Sequence, residues 1–311
     1  MVNYLVTGGA GFIGSHLVRT LIARNKSVRI LDNFITGKRQ NLDELIPSVE
    51  LVEGDIRSLD KCRKAVRGID CVLHQAALPS VQRSIQDPAM TNAINITGTL
   101  NMLVAAQAAG VRRFVFASSS SVYGNDKGLP KKEGNEGTPL SPYAVSKQAG
   151  EHYCRLFSLI NGMETICLRY FNVFGPRQDP SSQYSAAIPL FITRIMNGES
   201  PIVYGDGEQS RDFTYVDNIV AANILASEAQ KVSGETVNIA CGERLSINSL
   251  LGLINSALGT DVPPVYAASK PGEILHSIAD ISKARKILGY APMVSHREGL
   301  ERTIAWYKRT A

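Results

Sequence analysis

Val2-Asn3-Tyr4-Leu5-Val6-Thr7-Gly8-Gly9-Ala10-Gly11-Phe12-Ile13-Gly14 decides the fold of this chain. Residues 2–7 read as a short, mostly apolar strand, and Ser15 to Ala23 reads as a helix. Between them the glycines at 8, 11 and 14 follow a G-x-x-G-x-x-G spacing, a variant of the dinucleotide-binding fingerprint. Lacking side chains, they permit a tight turn, close approach of the backbone to a pyrophosphate, and close packing of helix on strand. The helix that follows offers unpaired N–H groups and the positive end of its dipole to the phosphates. A second strand, Ser27 to Leu31, ends in Asp32, eighteen residues beyond Gly14. An acid there suits the adenosine ribose hydroxyls and would repel a 2′-phosphate, so NAD is the expected cofactor. Lys38 and Arg39, a few residues on, keep NADP as the alternative.

Strands and helices then alternate, as a parallel α/β sheet requires. Val49 to Ile56 reads as a strand whose end, Asp55-Ile56, lies near the adenine; residues 58–67 read as a helix and Asp70 to His74 as a strand. Gln75-Ala76-Ala77 follows, where small residues let a cofactor approach. A long helix is predicted over Asp87 to Ala109, with Asn95 near its middle, and a strand over Val111 to Ala117. Ser118-Ser119-Ser120-Ser121 then stands at a strand's carboxyl end, where ligands of open α/β sheets bind. Residues 124–141, rich in Gly, Pro, Lys and Asn, read as a surface loop, and Thr165 to Arg169 as the next strand. Beyond about 172 the rhythm is irregular, with Gly and Pro clusters at 175–180, 198–210 and 263–272, which reads as a smaller lobe. The predicted division is 1–171 for the cofactor and mainly 172–311 for the substrate, with about 212–235 returning to the first unit.

At 311 residues and 44% hydrophobic content, the chain can bury a large core. No apolar stretch approaches the length of a membrane span, and the first strand is not preceded by a signal-peptide pattern, so a cytoplasmic protein without membrane contact is expected. Cys62, Cys71, Cys154, Cys167 and Cys241 are odd in number, scattered and without C-x-x-C spacing. They read as buried thiols of a reducing compartment, with neither disulfides nor a metal site expected. His16, His74, His152, His276 and His296 form no ligand cluster along the sequence. A net charge of +5 without long Lys/Arg blocks suits the phosphates of a small ligand better than nucleic acid.

The run Ser141-Pro142-Tyr143-Ala144-Val145-Ser146-Lys147 carries the chemistry. Pro142 suits the first turn of a helix, where its missing N–H costs nothing. Tyr143 and Lys147, four residues apart, then share a helix face. A phenol near pKa 10 is a poor base at neutral pH, and an adjacent ammonium favours its ionised form. The pair is therefore expected to exchange a proton with a sugar or alcohol hydroxyl.

Together the glycine run, Asp32, Asp55-Ile56, Ser119, Tyr143-x-x-x-Lys147 and Arg169-Tyr170-Phe171-Asn172-Val173-Phe174-Gly175-Pro176 resemble an extended short-chain dehydrogenase/reductase. Within that group the chain looks like a nucleotide-sugar 4-epimerase acting on UDP-glucose or UDP-N-acetylglucosamine, and the resemblance runs from Val2 to the carboxyl terminus. It implies a Rossmann-type doubly wound parallel sheet that holds NAD permanently, with a smaller α/β lobe at the carboxyl end that grips UDP. For NAD it implies contacts from Gly8, Gly11, Phe12, Ile13, Gly14, Asp32, Asn33, Thr36, Gly37, Lys38, Asp55, Ile56, Gln75, Ala76, Ala77, Asn95, Tyr143, Lys147 and Tyr170. Tyr143 as phenolate would take the 4-hydroxyl proton, Lys147 would lower its pKa and bind the nicotinamide ribose, and Ser119 would hydrogen-bond the same hydroxyl. For the UDP-sugar it implies Asn172 and Arg211 on phosphate or sugar, Ile188, Val203 and Tyr204 around the uracil or ribose, and Lys270 and Glu273 nearby, with Lys270 replacing the arginine usual in the family. Ser80, Ser84, Ser120 and Ser121 complete the implied sugar pocket. Two long helices, near 87–109 and 142–160, match the family's dimer surface, so a homodimer is expected.

Departures discriminate among relatives. Nucleotide-sugar 4,6-dehydratases carry an Asp-Glu pair, and UDP-glucuronate decarboxylases a glutamate, where this chain has Ser120 and Ser121. Serine cannot supply their acid, which disfavours both readings. Pro79 stands where some epimerases have a cofactor-contacting lysine. Ser277 matches the position at which glucose-restricted epimerases close the pocket beside C2 with an aromatic ring, so room for an N-acetyl group is expected. The alternatives are a UDP-glucuronate 4-epimerase or another oxidoreductase or lyase on the same scaffold, and a non-catalytic NAD-binding regulator.

Overall fold

The computed structural model describes residues 2–180, 187–230, 232–269 and 275–310. Its centre is a parallel sheet built from β1 (Asn3–Thr7), β2 (Ser27–Asp32), β3 (Glu50–Glu53), β4 (Cys71–His74), β5 (Arg113–Ser119), β6 (Glu164–Tyr170) and, far along the chain, β11 (Glu235–Ile239). The strands lie in the order β11-β6-β5-β4-β1-β2-β3. The order reverses between β1 and β4, which opens a crevice at their carboxyl ends, the usual ligand position of such a sheet. Register brings Thr7 beside both Leu31 and His74, and Ser119 beside Tyr170, so these strand ends form one rim.

Alternation along each strand feeds two cores. Tyr4, Val6, Ile30, Leu73 and Val115 pack on one face with α1 (Phe12–Ala23) and α8 (Val216–Glu228). Leu5, Leu31, Val72, Phe114 and Phe116 pack on the other with α2 (Leu59–Ala65), α5 (Gly98–Ala108) and α6 (Pro142–Asn161). Both faces are covered, as a parallel sheet demands. α6 is defined at both ends: Ser141 caps it by accepting from the Ala144 N–H at 3.1 Å, Pro142 opens it, and Gly162 closes it in the left-handed region at φ 69°.

Three boundaries differ from the sequence reading. α1 begins at Phe12, three residues before the predicted start, because Gly11 occupies the cap in an extended conformation. β5 continues through Ser118 and Ser119, so two of the four serines belong to the strand itself. The predicted helix over 87–109 is a short α4 (Pro88–Asn92), a π turn over Ala93–Thr97, and α5, preceded by a separate short α3 (Val81–Gln86). The wider π turn directs Asn95 inward, where it accepts from the Leu78 N–H at 2.7 Å and donates to the Leu78 carbonyl and the Ser146 hydroxyl at 3.1 Å.

The irregular half is made of β7 (Val173–Phe174), α7 (Ala187–Met196), β8 (Ile202–Tyr204), β9 (Ser210–Arg211), β10 (Thr214–Tyr215), β12 (Leu245–Ser246), α9 (Ile247–Leu258), β13 (Val265–Ala267), α10 (Ser282–Leu288) and α11 (His296–Thr310). Its strands form three two-stranded pairs, β10 with β7, β12 with β9 and β13 with β8. The five cysteines carry free thiols. Among the described residues no helix is long and apolar enough to cross a membrane.

α6 approaches β5 closely because residue 150 is glycine: a Cβ there would stand 2.3 Å from the Phe116 ring, and Phe116 is buried on every side. Gly150→Ala is expected to lower stability by about 1–3 kcal/mol through overpacking, against the small gain alanine brings to a helix. Thermal unfolding checks this; an unchanged or higher midpoint would contradict it.

Candidate active site

A cleft of about 760 Å³ opens at the switch point. Its near wall is the turn between β1 and α1. Gly8 has φ 69°, its amide donates to the Leu31 carbonyl at 2.8 Å, and a Cβ on it would sit 2.8 Å from the Ala76 nitrogen. A Cβ on Gly14 would fall 2.1 Å from the Gly8 carbonyl oxygen, so the turn closes only with glycine. Asp32 is buried and ties the turn together, accepting from the Ala10 N–H at 2.9 Å and the Phe34 N–H at 2.8 Å. Burial raises its pKa, and the backbone donors pull it back.

Of the cofactor positions predicted from sequence, Gly8, Gly11, Phe12, Ile13, Gly14, Asp32, Asn33, Thr36, Gly37, Lys38, Ile56, Gln75, Ala76, Ala77, Tyr143, Lys147 and Tyr170 line this cleft. Asp55 and Asn95 do not. Asp55 is engaged by Arg57 at 2.7 Å and by the Asn33 amide at 2.7 Å, with Arg57 holding its pKa down at about 2. Asn95 is spent on Leu78 and supports the cleft from behind. Of the cations near Asp32, Lys38 pairs with Asp179 at 2.9 Å and Arg39 with Glu53 at 2.6 Å. The glycine cradle and the carboxylate at the end of β2 fit a dinucleotide without a 2′-phosphate.

Pro79, Ser80, Arg83, Ser118, Gln178 and Asp179 also line the cleft. Sequence reasoning assigned Ser80 to the sugar and missed Arg83, Gln178 and Asp179. The last two arrive on the loop after β7, a return that no local pattern announces. Gln75, Tyr170 and Asn223 form a hydrogen-bonded trio beside the cleft, with Asn223 donating to the Tyr170 oxygen at 2.8 Å and Gln75 donating to Asn223 at 3.1 Å.

Tyr143 and Lys147 face one another across a turn of α6, the ammonium 5.8 Å from the phenol ring centre. Ser119, at the end of β5, hydrogen-bonds the phenol. Lys147 donates to the Ala117 carbonyl at 2.8 Å, and burial lowers its pKa to about 8 against the pull of Glu151. The sequence expectation that Lys147 lowers the Tyr143 pKa needs correction here. Burial is the larger effect and raises the phenol, with Ser119 acting the other way. Glu151, one turn beyond Lys147, is itself clamped: Arg169 donates to its two oxygens at 2.8 and 2.7 Å and Ser118 donates at 2.5 Å.

The predicted sugar-side residues divide. Ser84 is buried and its hydroxyl donates to the Val81 carbonyl at 2.6 Å, so it belongs to its own helix rather than to the cleft. Ser120 and Ser121 follow the strand in a short 3₁₀ turn, and the Ser121 hydroxyl is buried with no hydrogen-bond partner among the described residues. Asn172, at φ 35°, donates to the Asp212 carbonyl at 3.4 Å, next to Arg211. Arg211 reaches the Ser210 and Leu275 carbonyls at 3.0 Å, and the Ser277 N–H bonds the Ser210 carbonyl at 3.0 Å, so these three positions cluster. Tyr204 is exposed at the end of β8, whereas Val203 and Ile188 are core residues with almost no accessible surface. Lys270 and Glu273 lie outside the described residues.

The family model described as "NAD dependent epimerase/dehydratase family" matches residues 4–240. The chain belongs to this family. A UDP-N-acetylglucosamine 4-epimerase of Methanobrevibacter ruminantium, solved with UDP-N-acetylmuramic acid, is 41% identical, covers 100% of this chain and 99% of its own, and superposes with a TM-score of 0.95. The UDP-glucose 4-epimerase of Mycolicibacterium smegmatis is 34% identical over 98% of both chains. A UDP-glucuronic acid 4-epimerase of Bacillus cereus, solved with UDP-glucuronic acid and NAD, is 35% identical over the whole of both chains with a TM-score of 0.92. At 34% and 35% identity the relatives also include a UDP-N-acetyl-alpha-D-glucosaminuronate decarboxylase of Bacillus cytotoxicus and a dTDP-glucose 4,6-dehydratase of Streptomyces griseus. The cofactor is NAD, and the enzyme is an NAD-dependent member of the UDP-sugar epimerase/dehydratase group.

His74 links the cleft to the sheet, bonding Thr7 at 2.8 Å and Thr99 at 3.1 Å, while Thr7 accepts from the Ala76 N–H at 3.2 Å. Burial lowers its pKa to about 3, and that of His16 to about 4. An unfolded histidine titrates near 6.5, so between these values the unfolded chain binds more protons than the folded one. Stability therefore falls as pH drops below about 6.5, by up to about 1.4 kcal/mol per pH unit for each histidine. His74→Asn should be less stable at neutral pH yet show a shallower acid limb in denaturant titrations. An acid slope equal to that of the parent would contradict this.

Proposed function

We propose that this protein interconverts UDP-hexoses at C4, with UDP-N-acetylglucosamine/UDP-N-acetylgalactosamine and UDP-glucose/UDP-galactose as its substrate pairs. The observation that carries the reading is a phenol, a hydroxyl and a buried ammonium gathered at the inner end of an NAD cleft, with serines where the lyases of the family need acids. C4 of a hexose has no carbonyl neighbour, so its configuration cannot change by simple proton abstraction from carbon. Bound NAD would supply the reversible hydride chemistry that these side chains lack. Tyr143 takes the 4-hydroxyl proton and returns it, and Ser119 holds the same oxygen while it gains carbonyl character. Lys147 keeps positive charge beside the phenol and stands ready for the nicotinamide ribose. Because its pKa is about 8, raising pH beyond that value removes the charge it contributes.

The sugar must present both faces while its nucleotide stays bound. Arg211 and Asn172 are proposed to hold the diphosphate, and Tyr204 to cover the uridine. Ser277 in place of an aromatic side chain supports acceptance of an N-acetyl group. A second reading, a UDP-glucuronate 4-epimerase, is supported by the Bacillus cereus relative and by Arg83 in the cleft wall, a cation suited to a carboxylate. A homodimer is proposed from the exposed apolar residues Val145, Leu156, Leu159 and Ile160 on α6, next to Val81, Ile85 and Met90 of α3 and α4.

Proton NMR of the protein with each UDP-sugar tests the reading. The galacto epimers should appear from the N-acetylated and the plain substrate, and Tyr143→Phe should lower turnover by about 10²- to 10⁴-fold while retaining NAD. Turnover of UDP-glucuronate alone would favour the second reading, and a keto-deoxy or pentose product would overturn both. Ser277→Tyr should reduce kcat/KM for the acetylated substrate by about 10- to 100-fold relative to UDP-glucose. An unchanged preference would refute that role for Ser277.

A further inference from the structure

Away from the cleft, three side chains distant in sequence converge: Asp212 after β9, Cys241 after β11 and His296 at the start of α11. One potential ligand atom from each lies within 4.8 Å of the others. Nothing in their spacing, 29 and 55 residues, marks them as a set, and the sequence reading expected no metal site.

Two of the three groups are poorly partnered, and the third is a fully buried carboxylate. His296 bonds the Phe213 carbonyl, and its Nε2 is buried with no hydrogen-bond partner among the described residues. That nitrogen is the ring atom of His296 left open to a metal. The Cys241 sulfur receives only a distant contact from the Asn218 amide at 3.9 Å. The Asp212 carboxylate is fully buried and accepts from the Cys241, Gly242 and Ala279 N–H groups at 2.9, 3.0 and 3.2 Å. An open imidazole nitrogen, a thiol and a buried carboxylate therefore face one another, a donor set that one cation can engage.

We propose that Asp212, Cys241 and His296 form a site for a divalent cation of the zinc class, with exposed Glu243 or water as the fourth ligand. Mixed N, S and O donors select borderline metals over magnesium or calcium. Tetrahedral ligands at zinc bond lengths stand about 3.3–3.8 Å apart, so the set needs to contract by about 1 Å. Cys241 releases its proton to solvent as the sulfur–metal bond forms. The bound ion would join the ends of β9 and β11 to the start of α11, directly behind Arg211.

Cobalt(II) added to chelator-treated, NAD-loaded protein provides the test. One equivalent per chain should bind, with a thiolate-to-cobalt charge-transfer band and the visible bands of a tetrahedral ion. Cys241→Ser should abolish the charge-transfer band, and His296→Gln should weaken binding at least about tenfold. His152→Gln, at an exposed histidine, should change neither. Absence of the charge-transfer band in the parent protein, or equal loss in all three variants, would overturn the proposal without requiring any variant to be active.

Discussion

Lys147 carries its ammonium at the inner end of the cleft, bonded to the Ala117 carbonyl, where burial already weakens its hold on the proton. A buried cation of this kind persists only if its surroundings supply opposite charge without collapsing onto it. Glu151 supplies that charge from one helical turn away, with Arg169 and Ser118 binding its oxygens. Through this chain α6, β5 and β6 are locked in register, and the lock positions Tyr143 against Ser119. Arg169 is held in turn by Glu136 and lies over the Tyr123 ring, so the surface loop before α6 joins the same network. Removing Glu151 would take away the negative charge that acts on the buried lysine.

The cofactor side rests on a different constraint, close approach of backbone to backbone. Gly8 and Gly14 let the first turn fold on itself, and Asp32 fastens that turn to the end of β2. His74 and Thr7 then carry the 75–77 segment to the opposite wall. Both walls are built from strand ends of one sheet, while Asn172, Arg211 and Ser277 come from the segment between β6 and β7, from β9 and from the stretch that bridges to it.

Much of this was legible in the sequence because it is local. The glycine spacing, the acid ending the second strand and the proline before Tyr143 each report on a few neighbouring residues, and the corresponding elements stand where the pattern implies. What escaped is non-local. Asn95 looked like a cofactor contact from its position in a helix, yet a π turn directs it at Leu78. Ser84 sits in a suggestive motif but satisfies its hydroxyl on its own helix. The direction of the Tyr143 shift could not be read from an adjacent lysine, because burial raises the phenol and the opposing effect comes from Ser119. Gln178, Asp179 and Arg83, and the Asp212–Cys241–His296 set, depend on chain returns that leave no periodic trace.

The central claim is that hydrogen leaves and rejoins the same ring carbon inside the NAD cleft, with Tyr143 and Ser119 managing only the hydroxyl proton. Substrate deuterated at C4 of the hexose, followed to equilibrium in ordinary water, tests it most directly. The account predicts that both epimers keep deuterium at C4 with no free reduced cofactor accumulating. Loss of the label to solvent at the rate of epimerisation would contradict it.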